Sequence, residues 1–362
     1  MIKLLPLPFL ARERIFKEME ISELLLLSFI SKRTRNAIRQ SRLKSMETCF
    51  KLGNDDGTDS LAYGIFYVGE LGTHAIKWRI GEDSEDVKWE KVNINGHPSE
   101  CSFDFSDGIP KLLIKDLIRT DFPFVIHNYF CNLFRLSTEI RVSAHFDTMK
   151  EFPNIRNVHS LYIEPRIGEA GCMAKLNTLL SSIEISDHLE IYPPCQGRLS
   201  DDVRIWRIKR LSIVPVAWFF TGENFLNFEG ENLFVSCPDI SSEDIRTFIR
   251  EWIEGEKFVR VESILISGYR RPPGNEDLTT AQLLEGFESK RFDPERRPVV
   301  FKYPDSMKRQ CEEDCMEFHD DLDIERKTDG RLATVESIES AFVFIVWPEE
   351  IIRNYRHNID VN

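Results

Sequence analysis

Cys311, Cys315 and His319 recur with three residues between neighbours, and Asp320 or Asp323 could add a fourth donor. On a helix this spacing puts the side chains on one face, a geometry open to zinc. Structural zinc sites usually combine a tighter cysteine pair with a second, distant pair, so the stretch reads as a reduced, half-exposed helix without metal. Eight carboxylates (312, 313, 314, 317, 320, 321, 323 and 325) crowd the same region. Two of them could work as acid and base only if burial raised the pKa of one, and a charge run reads first as a solvated face that could attract a basic protein. The histidines, among them His127, His145, His159 and His188, stand singly, without a serine or cysteine arrangement around them. No phosphate loop, Gly-x-Ser-x-Gly elbow, dinucleotide fingerprint or His-Glu-x-x-His occurs. No catalytic residue, metal or cofactor is therefore expected. Trp218, Phe219 and Phe220, with Phe225 and Phe228, form the best candidate for a contact surface, although such clusters are more often core.

The elements around these residues belong to a long acidic chain. Its 362 residues allow two or three domains, and a hydrophobic content of 42% is ample for a core. The net charge of −13 argues against a nucleic-acid partner, which needs clustered Lys and Arg. The charge is uneven: residues 1–50 hold ten Lys/Arg against five Asp/Glu, a balance of +5 that leaves −18 for the rest. A basic head on an acidic body would be steered toward an acidic partner. The eight cysteines show no disulfide-framework spacing, which suggests reduced thiols in the cytoplasm or nucleus. Ile2–Leu10 is broken by two prolines and lacks a small-residue cleavage site, so it does not read as a signal sequence. The apolar runs Leu24–Leu27, Val214–Phe220 and Ala341–Trp347 are too short to span a bilayer, and no membrane partner is expected.

Within the basic head, Pro8 blocks any earlier helix, and apolar residues recur at Leu10, Ile15, Phe16 and Met19. Ser22 could cap a second helix with Glu23 in its first turn, followed by four leucines. Ser31 could cap a third helix carrying Lys32, Arg33, Arg35 and Arg39. About 40 residues rarely bury that much leucine alone, so the module must dock, onto this chain or onto a partner. The Leu7-Pro8 start, the Ile15-Phe16 step and Ile30-Ser31-Lys32-Arg33 resemble an F-box, with Pro6 and Thr34 as departures from the family pattern. The resemblance implies a Skp-type linker, and through it a cullin, as partners. It also implies that Leu7, Pro8, Leu10, Ile15, Phe16, Leu24, Leu27 and Ile30 form the linker-binding set.

Residues 46–60 read as a linker, and Leu61–Val68, Ala75–Ile80 and Val87–Ile94 as an antiparallel meander. Residues 111–119 and 124–134 read as helices, and Glu139–Ser143 as a strand. Beyond residue 155, apolar residues at alternate positions followed by Pro or Gly recur from Leu161, Leu189, Leu211, Leu233 and Ile264, at steps of 28, 22, 22 and 31. One strand per 20–30 residues is the pattern of a leucine-rich-repeat-like solenoid, although the consensus Asn is missing; an ordinary mixed sheet is the alternative. Cys172–Ile183 and Ser241–Ile253 have helical periodicity. In the second, Ile245, Phe248, Ile249, Trp252 and Ile253 form one stripe, Ser241 or Ser242 would cap the helix and Gly255 would end it. Asp329-Gly330 marks a hairpin, and Ala341–Trp347 a buried strand. The stretches 205–268 and 322–347 resemble the nematode-type F-box-associated domain.

The fold expected is thus α+β: a three-helix F-box (1–45), the linker (46–60), a β-rich meander with helices (61–150), a repeat-like α/β domain closed by a hairpin (151–347), and a tail (348–362). The function the resemblance implies is a non-catalytic substrate-recognition subunit of an SCF-type cullin–RING ubiquitin ligase. Its substrate protein and substrate surface are not marked in the sequence. A scaffold using the same helices for another partner is the second reading, and a free-standing hydrolase the third and weakest.

Overall fold

A computed structural model describes residues 5–41, 50–52, 64–68, 73–80, 88–94, 97–104, 111–114, 122–145, 157–164, 171–192, 195–200, 204–268, 279–303, 315–319, 321–338 and 341–360. The chain forms two compact units, residues 1–159 and 160–362.

The first unit opens with α1 (Phe9–Glu18), α2 (Ile21–Ile30) and α3 (Lys32–Gln40). Pro8 directly precedes α1. Ser31 caps α3 as expected, its hydroxyl accepting the Thr34 N–H at 3.1 Å. The cap of α2 differs from the expectation. It is Glu20, which exchanges capping-box hydrogen bonds with Glu23, while Ser22 lies buried in the first turn. A carboxylate accepts an orphan N–H as a hydroxyl does and also suits the positive end of the helix dipole.

Phe50–Leu52, at the start of the expected linker, is a strand (β1); most of that linker lies outside the described residues. Next come β2 (Gly64–Val68), β3 (Thr73–Ile80), β4 (Glu90–Ile94), β5 (His97–Asp104) and β6 (Lys111–Ile114), then α4 (Phe122–Phe134) and β7 (Arg141–His145). β1 pairs in parallel with β7, Phe50 opposite Val142. The five-stranded sheet has the order β2-β3-β6-β5-β4, which corrects the meander: β3 pairs in parallel with β6, and β4 stands at the edge beside β5. Lys111–Ile114, expected in a helix, is an inner strand bonded on both edges. Leucine's helix propensity is worth only tenths of a kcal/mol, which two ladders of hydrogen bonds and the burial of Leu112 outweigh.

The second unit starts within β8 (Asn157–Glu164), a strand that begins three residues before it, and goes on, in order, with β9 (Gly171–Cys172), α5 (Met173–Ser182), β10 (Glu184–Ile191), β11 (Cys195–Gln196), β12 (Arg210–Ile213), α6 (Gly222–Leu226), β13 (Asn232–Ser236), α7 (Ser242–Glu254) and β14 (Ser263–Ser267). It ends with α8 (Thr280–Leu283), β15 (Ser289–Arg291), β16 (Val300–Lys302), β17 (Cys315–Glu317), β18 (Leu322–Glu325), β19 (Leu332–Ile338), β20 (Ala341–Val346) and α9 (Glu349–Asp360). The expected tail is thus mostly helix. β9 pairs with β11, and β16 with β17.

The main sheet of this unit runs β8-β10-β12-β13-β14-β20-β19-β18-β15. β10, β12, β13 and β14 are parallel and lie side by side in chain order; from β14 to β20 the sheet turns antiparallel. Leu189, Leu211, Leu233 and Ile264, four of the five recurring residues of the sequence, are cross-strand partners in one row. Ile191, Ile213, Val235 and Ile266 form the next row on the same face, and all eight side chains are buried.

α7 is capped by Ser241 in a capping box with Asp244 and stopped by Gly255 at φ +77, beside Thr328, a conformation only glycine adopts cheaply. Its stripe of Ile245, Phe248, Ile249, Trp252 and Ile253 is buried. Phe248 lies 4.9 Å and Trp252 5.1 Å, ring to ring, from Phe344 of β20. The opposite face of β14, β19 and β20 is closed by Phe301, Tyr303, Phe318 and Trp347. The Trp252→Ala variant should cost about 3–5 kcal/mol, while Trp218→Ala, with no core to disturb, should change stability by less than about 0.5 kcal/mol. Urea midpoints followed by far-ultraviolet dichroism check both.

Candidate functional site: the helical docking face

The N-terminal helices divide their apolar side chains between two directions. Phe16, Leu24, Leu25, Ala37 and Ile38 turn inward and are buried. Tyr129 of α4 fastens α2 and α3 from the other side. Its hydroxyl lies 2.7 Å from Ser28 Oγ, its ring stacks on Phe29 at 5.2 Å, and the Arg35 guanidinium sits 5.0 Å from the ring centre. Phe29 also approaches Phe103 of β5, at 6.1 Å, and Arg35 donates to the Asn93 carbonyl of β4 at 3.4 Å. Burial pushes the Tyr129 phenol above its usual pKa, against the hydrogen bond with Ser28 and the charge of Arg35.

The outward set is different. Leu10 is 76% and Ile30 73% exposed, Phe9 and Leu5 are exposed, and so is Pro8; Leu7, Ile15 and Leu27 are half-buried. Of the eight residues expected to meet a linker, Phe16 and Leu24 therefore lie inside the unit and the other six reach its surface. Phe9, absent from that set, joins them. Arg14, Lys17, Lys32, Arg33 and Arg39 are exposed on the same helices.

The chemistry-bearing residues of the sequence fare otherwise. Cys311 and Asp320 lie outside the described residues. Cys315 belongs to strand β17, not to a helix, and His319 bonds Glu317 at 3.0 Å. Among the described residues no group of three His, Cys, Asp or Glu could hold a metal ion, and no helix is long and apolar enough to cross a membrane.

The acidic run is not wholly a solvated face. Asp323 is 2% exposed and grips the fully buried Arg297 from both carboxylate oxygens at 3.0 Å, while Thr334 donates to it at 2.7 Å and Trp347 donates to Thr334 at 2.8 Å. Asp321 hydrogen-bonds Glu336 of β19, and burial followed by the Asp321 charge pushes the Glu336 carboxyl up to about 7.

His127 does not stand alone. One helical turn from Cys131, its Nε2 lies 3.5 Å from Sγ, and the thiol donates to the Ser137 carbonyl at 3.1 Å. The i, i+4 spacing was the signal for it. Burial lowers the His127 pKa, and the two side chains with the Ser137 carbonyl form a clasp at the end of α4. Trp218 is 69% exposed, whereas Phe219, Phe220, Phe225 and Phe228 are core.

A family model for the F-box domain matches residues 4–46. No curated protein and no solved structure matches the chain. The chain thus carries an N-terminal F-box domain, followed by a mixed α/β body. F-box domains in general bind Skp1-type linkers, and their proteins are typically non-catalytic adaptors.

Buried His127 and half-buried Glu336 give opposite pH dependences. Glu336 binds its proton more tightly folded than unfolded, so its contribution is full below about pH 4.5 and is lost as pH rises through about 7. His127 binds its proton less tightly when folded, so acid below about pH 6.5 destabilises its unit. Glu336→Gln should abolish the loss in the second unit between pH 5 and pH 8, as read by hydrogen exchange of β18 and β19, and should leave α4 protection unchanged.

Proposed function

We propose that this chain is the substrate-recognition subunit of an SCF-type cullin–RING ubiquitin ligase. The F-box at residues 4–46 carries the proposal. Its exposed apolar patch supports the reading, since large apolar side chains held at the surface by buried neighbours are what a docking partner covers. In this reading Leu7, Pro8, Leu10, Ile15, Leu27 and Ile30 meet the Skp-type linker, and Phe16 and Leu24 hold the helices that display them. The exposed arginines and lysines around the patch suit an acidic linker.

The body would bind a substrate protein, and ubiquitin transfer would follow from proximity, the acceptor lysine being held near ubiquitin activated elsewhere in the complex. No residue of this chain then needs to be catalytic. We further propose that the second unit is an F-box-associated domain of the nematode type built on a leucine-rich-repeat-like coil. The chain-ordered parallel strands and the capped α7 stripe support this. The cytoplasm or nucleus is the compartment in which such a complex would work.

Leu10→Asp with Ile30→Asp should abolish capture of the full chain by a purified Skp-type linker without lowering the urea midpoint, because both side chains are exposed. A well-folded wild-type chain that captures no linker would overturn the ligase reading in favour of a scaffold.

A further inference from the structure

A groove of about 700 Å³ opens in the second unit between the C-terminal half of α7, the segment after α8 and the β15–β18 edge of the main sheet. Of the apolar residues that line it, Phe287 is half-buried, and Ile253, Ile324 and Leu332 are buried. Its rim is charged in an uneven way. Lys290 at 3.4 Å and Arg296 at 3.1 Å both donate to a single carboxylate oxygen, Glu325 Oε2. Two cations thus converge on one acid. Arg250 at the opposite rim reaches its acid, Glu243, only at 3.8 Å, and is half exposed. Asp323, which also borders the groove, is neutralised from behind by Arg297. Glu325 is held below the usual carboxylate range: the Arg296 hydrogen bond and the Lys290 charge outweigh its own partial burial.

In a chain of net charge −13, the five cations lining the groove (Arg250, Lys290, Arg296, Arg326 and Lys327) outnumber its four acids (Glu254, Glu288, Asp323 and Glu325) by one, and Lys327 is paired with Glu254 at 2.6 Å. The Debye length at physiological salt is about 8 Å, so cations at contact distance, not the net charge of the body, decide which side chains can settle here. The half-buried Phe287 and a convergent pair of cations in one groove fit an extended segment in which an apolar residue stands beside a carboxylate.

We propose that this groove binds an acidic, Asp/Glu-bearing segment of a partner protein, its carboxylate seated between Lys290 and Arg296 in place of, or beside, Glu325. On the reading above, that partner is the substrate, and the word substrate rests on that reading. The binding of the segment does not.

Fluorescence anisotropy on the full chain tests it, with short labelled peptides alternating Leu with Glu, Leu with Gln, or Leu with phosphoserine. The Leu-Glu probe should bind more tightly than the Leu-Gln probe, and added salt should narrow the difference. Lys290→Met with Arg296→Met should weaken the Leu-Glu probe by roughly five- to tenfold, the scale of two partly exposed ion pairs, and leave the Leu-Gln probe unchanged. Glu325→Gln removes the competing carboxylate and should tighten the Leu-Glu probe, a gain that damage to the fold would not produce. Equal binding of the Glu and Gln probes, or weakening by Glu325→Gln, would overturn the proposal, as would binding of the phosphoserine probe alone. Linker capture is measured on the same variants. A chain that binds the acidic probe and captures no linker keeps the groove and loses the ligase, whereas one that captures linker and ignores the probe does the reverse.

Discussion

No strand of the parallel sheet can bury its own apolar face, and the second unit is organised around that constraint. Leu189, Leu211, Leu233 and Ile264 stand shoulder to shoulder, with Ile191, Ile213, Val235 and Ile266 beside them. Helices alternate with these chain-ordered strands, α5 before β10, α6 before β13 and α7 before β14. Register follows from the same constraint. On the other face Asn232 accepts from Ser263 at 2.5 Å and Ser236 meets Ser267 at 2.7 Å. A slip by one residue would move these polar groups to the face of the aliphatic rows and the aliphatic side chains to theirs, so the hydrophobic pattern tolerates one pairing. α7 leads into the last parallel strand, and its Gly255 stop lies against the β18–β19 turn, where Lys327 N–H donates to the Ile253 carbonyl at 2.8 Å.

In the first unit the same economy divides a leucine-rich segment in two. A helix of four consecutive leucines is apolar all round and must be covered on more than one side. α4 provides one cover, through Tyr129, and because Ser28, Phe29 and Arg35 all meet that single residue, α2 and α3 are held together on it. The segment's most exposed large apolar side chains are Leu5, Phe9 and Leu10, before and at the start of α1, and Ile30 at the end of α2. The helices are therefore neither a free module nor a closed core. They are a surface presented by a framework, and the framework residues Phe16 and Leu24 are as necessary to it as Leu10 and Ile30.

How far the sequence was legible follows from where each signal lives. α7 could be read in full, because its stripe, its serine cap and its glycine stop are all local. The row of Leu-x-Ile strands was visible as a recurrence, and the cross-strand partners it foretold are paired. The five-stranded sheet was not legible beyond its first strands. Lys111–Ile114 carries no local sign that it will lie between β3 and β5, since parallel pairing is specified by residues far away in the chain. The cap of α2 was misplaced by two residues, because Glu20 and Ser22 both precede the apolar run and only packing decides between them. In the N-terminal helices, residue types marked the elements, but the contacts of Ser28, Phe29 and Arg35 with Tyr129, about 100 residues further on, have no local sign.

The acidic run shows most clearly what a one-dimensional reading leaves out. Asp323 and Glu325 lie two residues apart on β18, and the run itself assigns them the same solvated character. Their partners separate them. Arg297 is enclosed by Phe292, Phe318 and Trp347, with its guanidinium 4.3 Å from the Phe292 ring and 5.0 Å from the Trp347 ring, and in that enclosure it needs a counter-charge. Asp323 supplies it and passes the constraint through Thr334 to Trp347, so one ion pair fixes β18 against β19 and the end of β20. Burying such a pair seldom adds net stability over an apolar packing, but removing one partner strands a charge, which makes the pair a fixer of geometry more than a source of energy. Glu325, on the same strand, meets only cations at the surface and remains open to solvent. The division of one acidic stretch into a structural anion and a surface anion is thus set by arginines at 296 and 297, adjacent in sequence and opposite in fate: Arg297 is sealed in the core and Arg296 is left at the rim of the groove.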